Sequence, residues 1–187
     1  MKKGLLIILS GPSGVGKGTV RELFCKNPDL NIAYSVSMTT RQRRDNETNG
    51  KEYFFVDRPT FEKAIAEDEL LEHAEFVGNY YGTPKKYVED LRNQGKNVLL
   101  EIEVEGAKQV IAKVKDALTI FIVPPSMEEL EKRIRGRRSE TEEVVQLRLA
   151  KAAKEMEKLG TYKFIVCNDD PHLAAQIISL IIKRHME

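Results

Sequence analysis

Short, almost wholly apolar runs alternate along this chain with longer stretches whose apolar residues recur at helical spacing. Leu5–Leu9, Asn97–Ile102, Leu118–Val123 and Phe164–Cys167 lack a polar alternate face over most of their length, which predicts strands buried on both sides. Helical patterns lie between them, over Lys17–Lys26, Glu105–Val114, Met127–Arg135, Glu142–Leu159 and Leu173–Arg184. Ser126 precedes the third, with Glu129 three residues on, the spacing of a capping box. This alternation predicts an α/β fold of three layers, a parallel sheet with helices on both faces.

From Ala33 to Thr83 the rhythm breaks. Short β-like pieces (Tyr34–Met38, Tyr53–Val56, Phe76–Val77) surround one helical pattern, Pro59–Glu67, and Gly50, Gly78 and Gly82 read as turns. This stretch reads as an inserted mixed β lobe. The expected organisation is a single domain over 1–187, with a core of 1–32 and 84–187 and a lobe of about 33–83.

Composition changes this picture little. A chain of 187 residues can bury roughly 70% of the surface its unfolded form exposes, so it needs no staples. Thirty Lys and Arg stand against 29 Asp and Glu, a formal charge of +1, so attraction to anions must be local. Neither nucleic acid nor a membrane is an expected partner. Cys25 and Cys167 have no metal-type spacing and read as reduced core thiols of a cytoplasmic protein. The opening MKKGLLIILS imitates a signal peptide, but its apolar run is too short and ends in a Gly-rich turn. No window approaches the about 20 apolar residues of a membrane span.

The strongest chemical signal is Gly11-Pro12-Ser13-Gly14-Val15-Gly16-Lys17-Gly18-Thr19, between a buried strand and an amphipathic helix. Glycines let backbone N–H groups turn inward around phosphate oxygens, and the helix that follows points its positive end at them. Lys17 supplies a mobile charge for the β- and γ-phosphates. The usual Ser or Thr directly after the lysine is replaced by Gly18, with Thr19 next. A magnesium ion carried with ATP would then be held chiefly by phosphate oxygens and water, with Thr19 a possible direct ligand. This P-loop points to a nucleotide without choosing a reaction.

Arg41, Arg43 and Arg44 follow a short strand. Taken alone they suit either a second anionic ligand, gripped by guanidinium forks, or a solvated basic turn. Tyr53, Tyr80 and Tyr81 add phenol hydroxyls to the lobe, or fill it. Glu101 and Glu103 alternate along one strand and share a face. Lys132 to Arg138 holds five basic residues in seven positions around Gly136, before the acidic Glu140, Glu142 and Glu143.

Together GPSGVGKGT, SMTTRQRR, GKEYFF, LLEHAEFVGNYYGTP, RGRRSETEE and VCNDD resemble the guanylate kinase family in order and spacing, from about Leu5 to Lys183. The resemblance implies an ATP-dependent kinase that converts GMP to GDP, and dGMP to dGDP, in purine nucleotide salvage and GMP recycling. It implies that Arg41, Arg44, Tyr53 and Tyr81 hold the GMP phosphate, that Ser37, Glu72 and Thr83 read guanine, and that Glu101 faces GMP. Guanine's ring N–H and amino group form a donor pair that one carboxylate accepts, and adenine would leave that carboxylate unpaired.

The resemblance also makes the basic run part of a short lid, about 133–148. It assigns Arg133, Arg137 and Arg148, with Lys17 and Arg41, to the charge of the transferring group, and puts Asn168 near adenine. Phosphoryl transfer asks mainly for alignment and positive charge. A kinase for another nucleoside monophosphate, a phosphopeptide-binding scaffold and a GTP-hydrolysing switch are the competing readings; the chain has no Asn-Lys-x-Asp guanine motif. Monomer and homo-oligomer are both open.

Overall fold

A computed structural model describes residues 2–136 and 141–187. Its strands are β1 (Leu6–Ser10), β2 (Ile32–Tyr34), β3 (Ser37–Thr39), β4 (Tyr53–Phe55), β5 (Leu70–Phe76), β6 (Asn79–Pro84), β7 (Asn97–Glu101), β8 (Leu118–Val123) and β9 (Phe164–Cys167). Its helices are α1 (Lys17–Cys25), α2 (Arg58–Ala66), α3 (Lys85–Asn93), α4 (Val104–Lys113), α5 (Met127–Arg135), α6 (Glu142–Met156) and α7 (Pro171–Met186). The strands form a five-stranded parallel sheet, β2-β7-β1-β8-β9, and a separate four-stranded mixed sheet, β4-β3-β6-β5. The expected α/β class with an additional mixed sheet is therefore what the chain adopts.

Two compact units divide the chain: one holds the residues up to Leu6, Ala33–Leu100 and Glu105–Ala117, the other Ile7–Ile32, Glu101–Val104 and Leu118–Glu187. In the second unit β1 pairs with β8 (Ile7↔Leu118 to Ser10↔Phe121) and β8 with β9 (Ile120↔Phe164 to Val123↔Cys167), all parallel. Every residue of β1 is buried, as its unbroken apolar run requires. β9 departs from expectation: it ends the sheet, and only Val166 is buried while Ile165 and Cys167 face outward. Cys167 is thus an exposed thiol rather than a core one, whereas Cys25 is half-buried, and burial pushes its thiol up to about 11.

Local capping explains where helices start. The Asp170 carboxylate accepts from the N–H groups of His172 (2.7 Å) and Leu173 (3.1 Å), and Pro171 opens α7. Ser126 accepts from the Glu129 N–H at 3.1 Å, as its spacing predicts. The Glu129 carboxylate does not complete the box; it pairs with Arg133 at 3.3 Å. Helix α6 stops at Met156, and a 3₁₀ turn, Leu159–Thr161, takes over the end of the expected longer helix.

In the first unit β3 runs parallel to β4 and antiparallel to β6, and β5 and β6 form a hairpin. Its tip is the pair Val77-Gly78 with φ of 49° and 73°, the backbone of a two-residue hairpin turn. The short piece expected at Phe76–Val77 is therefore the end and turn of a much longer hairpin. Gly82, expected in a turn, lies inside β6. A Cβ there would meet the Glu72 carbonyl oxygen at 2.8 Å and the Phe61 ring at 3.0 Å, so close packing calls for the glycine. Beneath the sheet Phe61, Ala64 and Leu70 form a small core joined by Met38, Val56, Ile65 and Tyr80. Among the described residues no helix is long and apolar enough to cross a membrane.

Candidate active site

The P-loop is laid out by backbone conformations that favour glycine: φ is 152° at Gly11, 89° at Gly14 and 94° at Gly16, the residue that caps α1. A Cβ on Gly16 would lie 2.7 Å from the Asn168 amide nitrogen. That amide donates to the Val15 carbonyl at 2.7 Å, and Arg133 donates to the Asn168 carbonyl (2.9 Å) and reaches that of Val15 (3.4 Å). Asn168, after β9, and Arg133, on α5, thus brace the loop from outside. Lys17 Nζ rests on the carbonyls of Gly11 (2.5 Å) and Pro12 (3.3 Å), and Arg148 donates to Ser13 Oγ at 2.8 Å. Burial holds the Lys17 ammonium below its usual pKa, partly offset by the carboxylates of Glu101, Glu155 and Glu103.

Ser13, Gly14, Gly16, Lys17, Gly18, Thr19 and Glu101 line one cleft of about 230 Å³. Glu101 therefore stands among the P-loop residues, with Arg21 Nη1 at 3.2 Å from its Oε2 but out of line for a hydrogen bond. Thr19 is exposed on the first turn of α1. Nearby, Lys151 binds Glu103 (2.9 Å) and lies 4.0 Å from Glu155, whose pKa is raised by burial. Glu155 and Lys151 carry no sequence signal beyond their i, i+4 spacing. Arg137, expected beside Arg133 and Arg148, lies outside the described residues.

In the lobe, register assembles the other candidates. Ser37 pairs with Tyr53. The β3–β6 register, Met38↔Gly82 and Thr39↔Tyr81, continued by one residue sets Ser37 opposite Thr83. Thr83 Oγ1 in turn donates to Glu72 Oε1 at 2.6 Å. Tyr53, Ser37, Thr83 and Glu72 so form one row across four strands, and alternation puts Tyr81 on the same face, two residues from Thr83. Tyr81 meets Tyr53 edge-on, ring centres 5.9 Å apart. Thr83 is fully buried and Glu72 is 7% exposed. Burial raises the Glu72 pKa, while its bond from Thr83 opposes the shift.

Beside this row stands Arg41, its guanidinium carbon 5.5 Å from the Tyr53 ring centre and 5.7 Å from that of Phe55. The turn that carries it is tied to β6: Thr39 Oγ1 donates to the Tyr80 carbonyl (2.8 Å) and accepts from Arg41 N–H (3.2 Å), and Thr40 Oγ1 accepts from Tyr80 N–H (2.9 Å). Sequence reasoning missed Glu47. Its carboxylate takes both Arg41 amino groups, at 2.7 and 3.1 Å, and the Arg44 N–H at 2.9 Å. These bonds hold the Glu47 carboxyl below the usual range and keep Arg41 charged. The only hint in the chain is an acid three residues after Arg44.

A phosphate cradle in one unit and an arginine–tyrosine–carboxylate face in the other suit a reaction between two nucleotides. The guanylate kinase family model matches residues 3–185. The chain belongs to the guanylate kinase family. A guanylate kinase from Anaplasma phagocytophilum is 36% identical, with a TM-score of 0.74 over 99% of this chain and 87% of that one. An uncharacterized protein from Eubacterium ventriosum ATCC 27560 is 14% identical, with a TM-score of 0.52 over 97% of this chain and 99% of its own, and shares the fold. As a guanylate kinase, the chain is a nucleoside monophosphate kinase that phosphorylates GMP from ATP.

Proposed function

We propose that the P-loop unit holds ATP and the mixed-sheet lobe holds GMP, in a cytoplasmic enzyme of purine salvage with no nucleic-acid or membrane partner. The observation that carries this is the row Tyr53–Ser37–Thr83–Glu72 with Arg41 beside it, a face that pairs a basic, phenolic end with a buried acceptor. Arg41, Arg44, Tyr53 and Tyr81 neutralise the GMP phosphate, and Ser37, Thr83 and Glu72 read the base. Gly11 to Thr19 wrap the ATP phosphates. Lys17, Arg133, Arg137 and Arg148 carry the charge that spreads over the transferring group. Asn168 fixes the loop and borders the adenine, and Glu101 takes part in binding GMP.

Magnesium fits this cleft: Thr19 Oγ1 and the Glu101 carboxylate are hard oxygen donors lining it, and Glu101 Oε2 is buried without a hydrogen-bond partner among the described residues. Brought in with ATP, the ion would neutralise phosphate charge there. An ADP-release assay over GMP, dGMP, AMP, CMP and UMP tests the reading. GMP and dGMP support turnover and the other three give traces; equal rates on AMP and GMP overturn the guanine assignment.

A further inference from the structure

Helix α4 contains a glycine in its first turns, although glycine weakens a helix relative to alanine. Its surroundings supply a reason. A Cβ on Gly106 would lie 2.9 Å from Glu72 Oε2 and 3.5 Å from that side chain's Cδ and Cγ. The backbone there needs no positive φ. The three heavy atoms nearest to the absent methyl group all belong to Glu72, so its absence leaves space next to that side chain.

Two further residues recur on the same face of α4. Gln109, three positions on, accepts from His73 N–H at 3.1 Å and donates to the His73 carbonyl at 3.0 Å. Lys113, seven positions on, donates to the Leu70 carbonyl at 2.7 Å and to Asp68 at 2.6 Å. These contacts flank Glu72 where the β5–β6 register shifts, between Leu70 and His73. β5 is the last strand of its sheet, so α4 side chains take the place of a neighbouring strand along this stretch.

We propose that Gly106 is a specificity-determining position for guanine, because its missing Cβ leaves the room that fixes the Glu72 carboxylate. Gln109 is a positioning residue that holds the strand under it. This rests on the reading of Glu72 as the guanine acceptor. Alanine at 106 spares the fold, since the atom it meets is the far end of a flexible side chain. What it moves is the carboxylate.

The test measures kcat/KM for GMP and for AMP, the KM for ATP and the melting temperature in Gly106→Ala, Gln109→Met and Glu72→Gln. Gly106→Ala should melt at or above the parent and keep its ATP KM. Its GMP efficiency should fall at least ~tenfold through KM, the scale of a sub-ångström misplacement, with AMP unchanged. Gln109→Met, which removes both His73 bonds, should lower the GMP to AMP ratio by about threefold or more, and it decides the matter should Gly106→Ala fail to melt cooperatively. A Gly106→Ala protein that keeps its GMP preference while Glu72→Gln loses it overturns the inference alone. Preference kept in both overturns the Glu72 reading and the inference with it, and equal losses on GMP and AMP make α4 merely structural.

Discussion

In the P-loop unit the candidate phosphate-binding groups come from nine neighbouring residues, Gly11 to Thr19, between one strand and one helix. In the lobe the candidate acceptor face draws single residues from four strands, and α4 shapes it from behind. Backbone conformation builds the first, and register builds the second. The P-loop tolerates little change at Gly11, Gly14 and Gly16, because their φ values strain any residue with a Cβ. The lobe depends on side-chain placement, so a change there should alter which base is accepted before it alters whether the chain folds.

The largest effect should come from Lys17→Ala. Turnover should drop at least ~100-fold, the scale of losing one transition-state donor, with the KM for GMP unchanged. ADP release at saturating substrates reads this directly; near-normal turnover would remove the P-loop from the chemistry and dissolve the contrast.

Glu72→Gln probes the other side. Losing a charge-assisted acceptor costs roughly 1.5–3 kcal/mol, about tenfold to a hundredfold in kcat/KM for GMP, while AMP efficiency holds. Because burial raises the Glu72 pKa, GMP efficiency in the parent should fall as pH drops through that raised value. This limb should be missing in Glu72→Gln; a limb of equal size in both proteins assigns it to another group. Stability runs the opposite way. A carboxyl whose folded pKa is raised favours folding while protonated, and that contribution is lost as pH rises through the folded value.

A smaller effect is expected from Glu47→Gln. With its bidentate anchor weakened, Arg41 should wander from the face of Tyr53, and the KM for GMP should rise by about threefold to tenfold. A fall in KM would instead make Glu47 a competitor for the GMP phosphate. The mildest change is Asp170→Ala, which removes the cap of α7 in the P-loop unit. It should cost about 1 kcal/mol, or about 2–4 °C in melting temperature, and leave both substrates' KM values alone. Lost activity at intact stability would show that the cap also steers Asn168, two residues before it.

Much of the molecule was legible in the chain, and the failures share a cause. Helix α3 is missing from the sequence reading although Tyr87, Val88 and Leu91 share one face of KKYVEDLRN, because so short and highly charged a stretch also suits a solvated loop. Its buried Arg92 is held by Glu89, Asp116 and the Gly4 carbonyl, two of which lie far away in sequence. Gly82 looked like a turn because nothing nearby reveals that Phe61 and the Glu72 backbone will press against it. Gln109 and Gly106 carry no motif at all, and each acquires its role from a partner that folding delivers, whereas Glu47 meets Arg41 and Arg44 within its own turn.

Local pattern in the chain reveals β1, β7, β8 and the position of β9, most helices and the P-loop, but not β2, which reads as one piece with β3 and yet edges the parallel sheet. These follow from residues close enough along the chain to constrain each other through φ, hydrophobic period and capping. Its resemblance to guanylate kinases also supplies the candidate side chains of the acceptor face. Folding is what sets Tyr53, Ser37, Thr83 and Glu72 in one row, lets Asn168 and Arg133 brace the P-loop, and brings a glycine on α4 beside a carboxylate on β5. Such contacts depend on strand register and helix placement, which the burial of the whole core sets and no local stretch encodes.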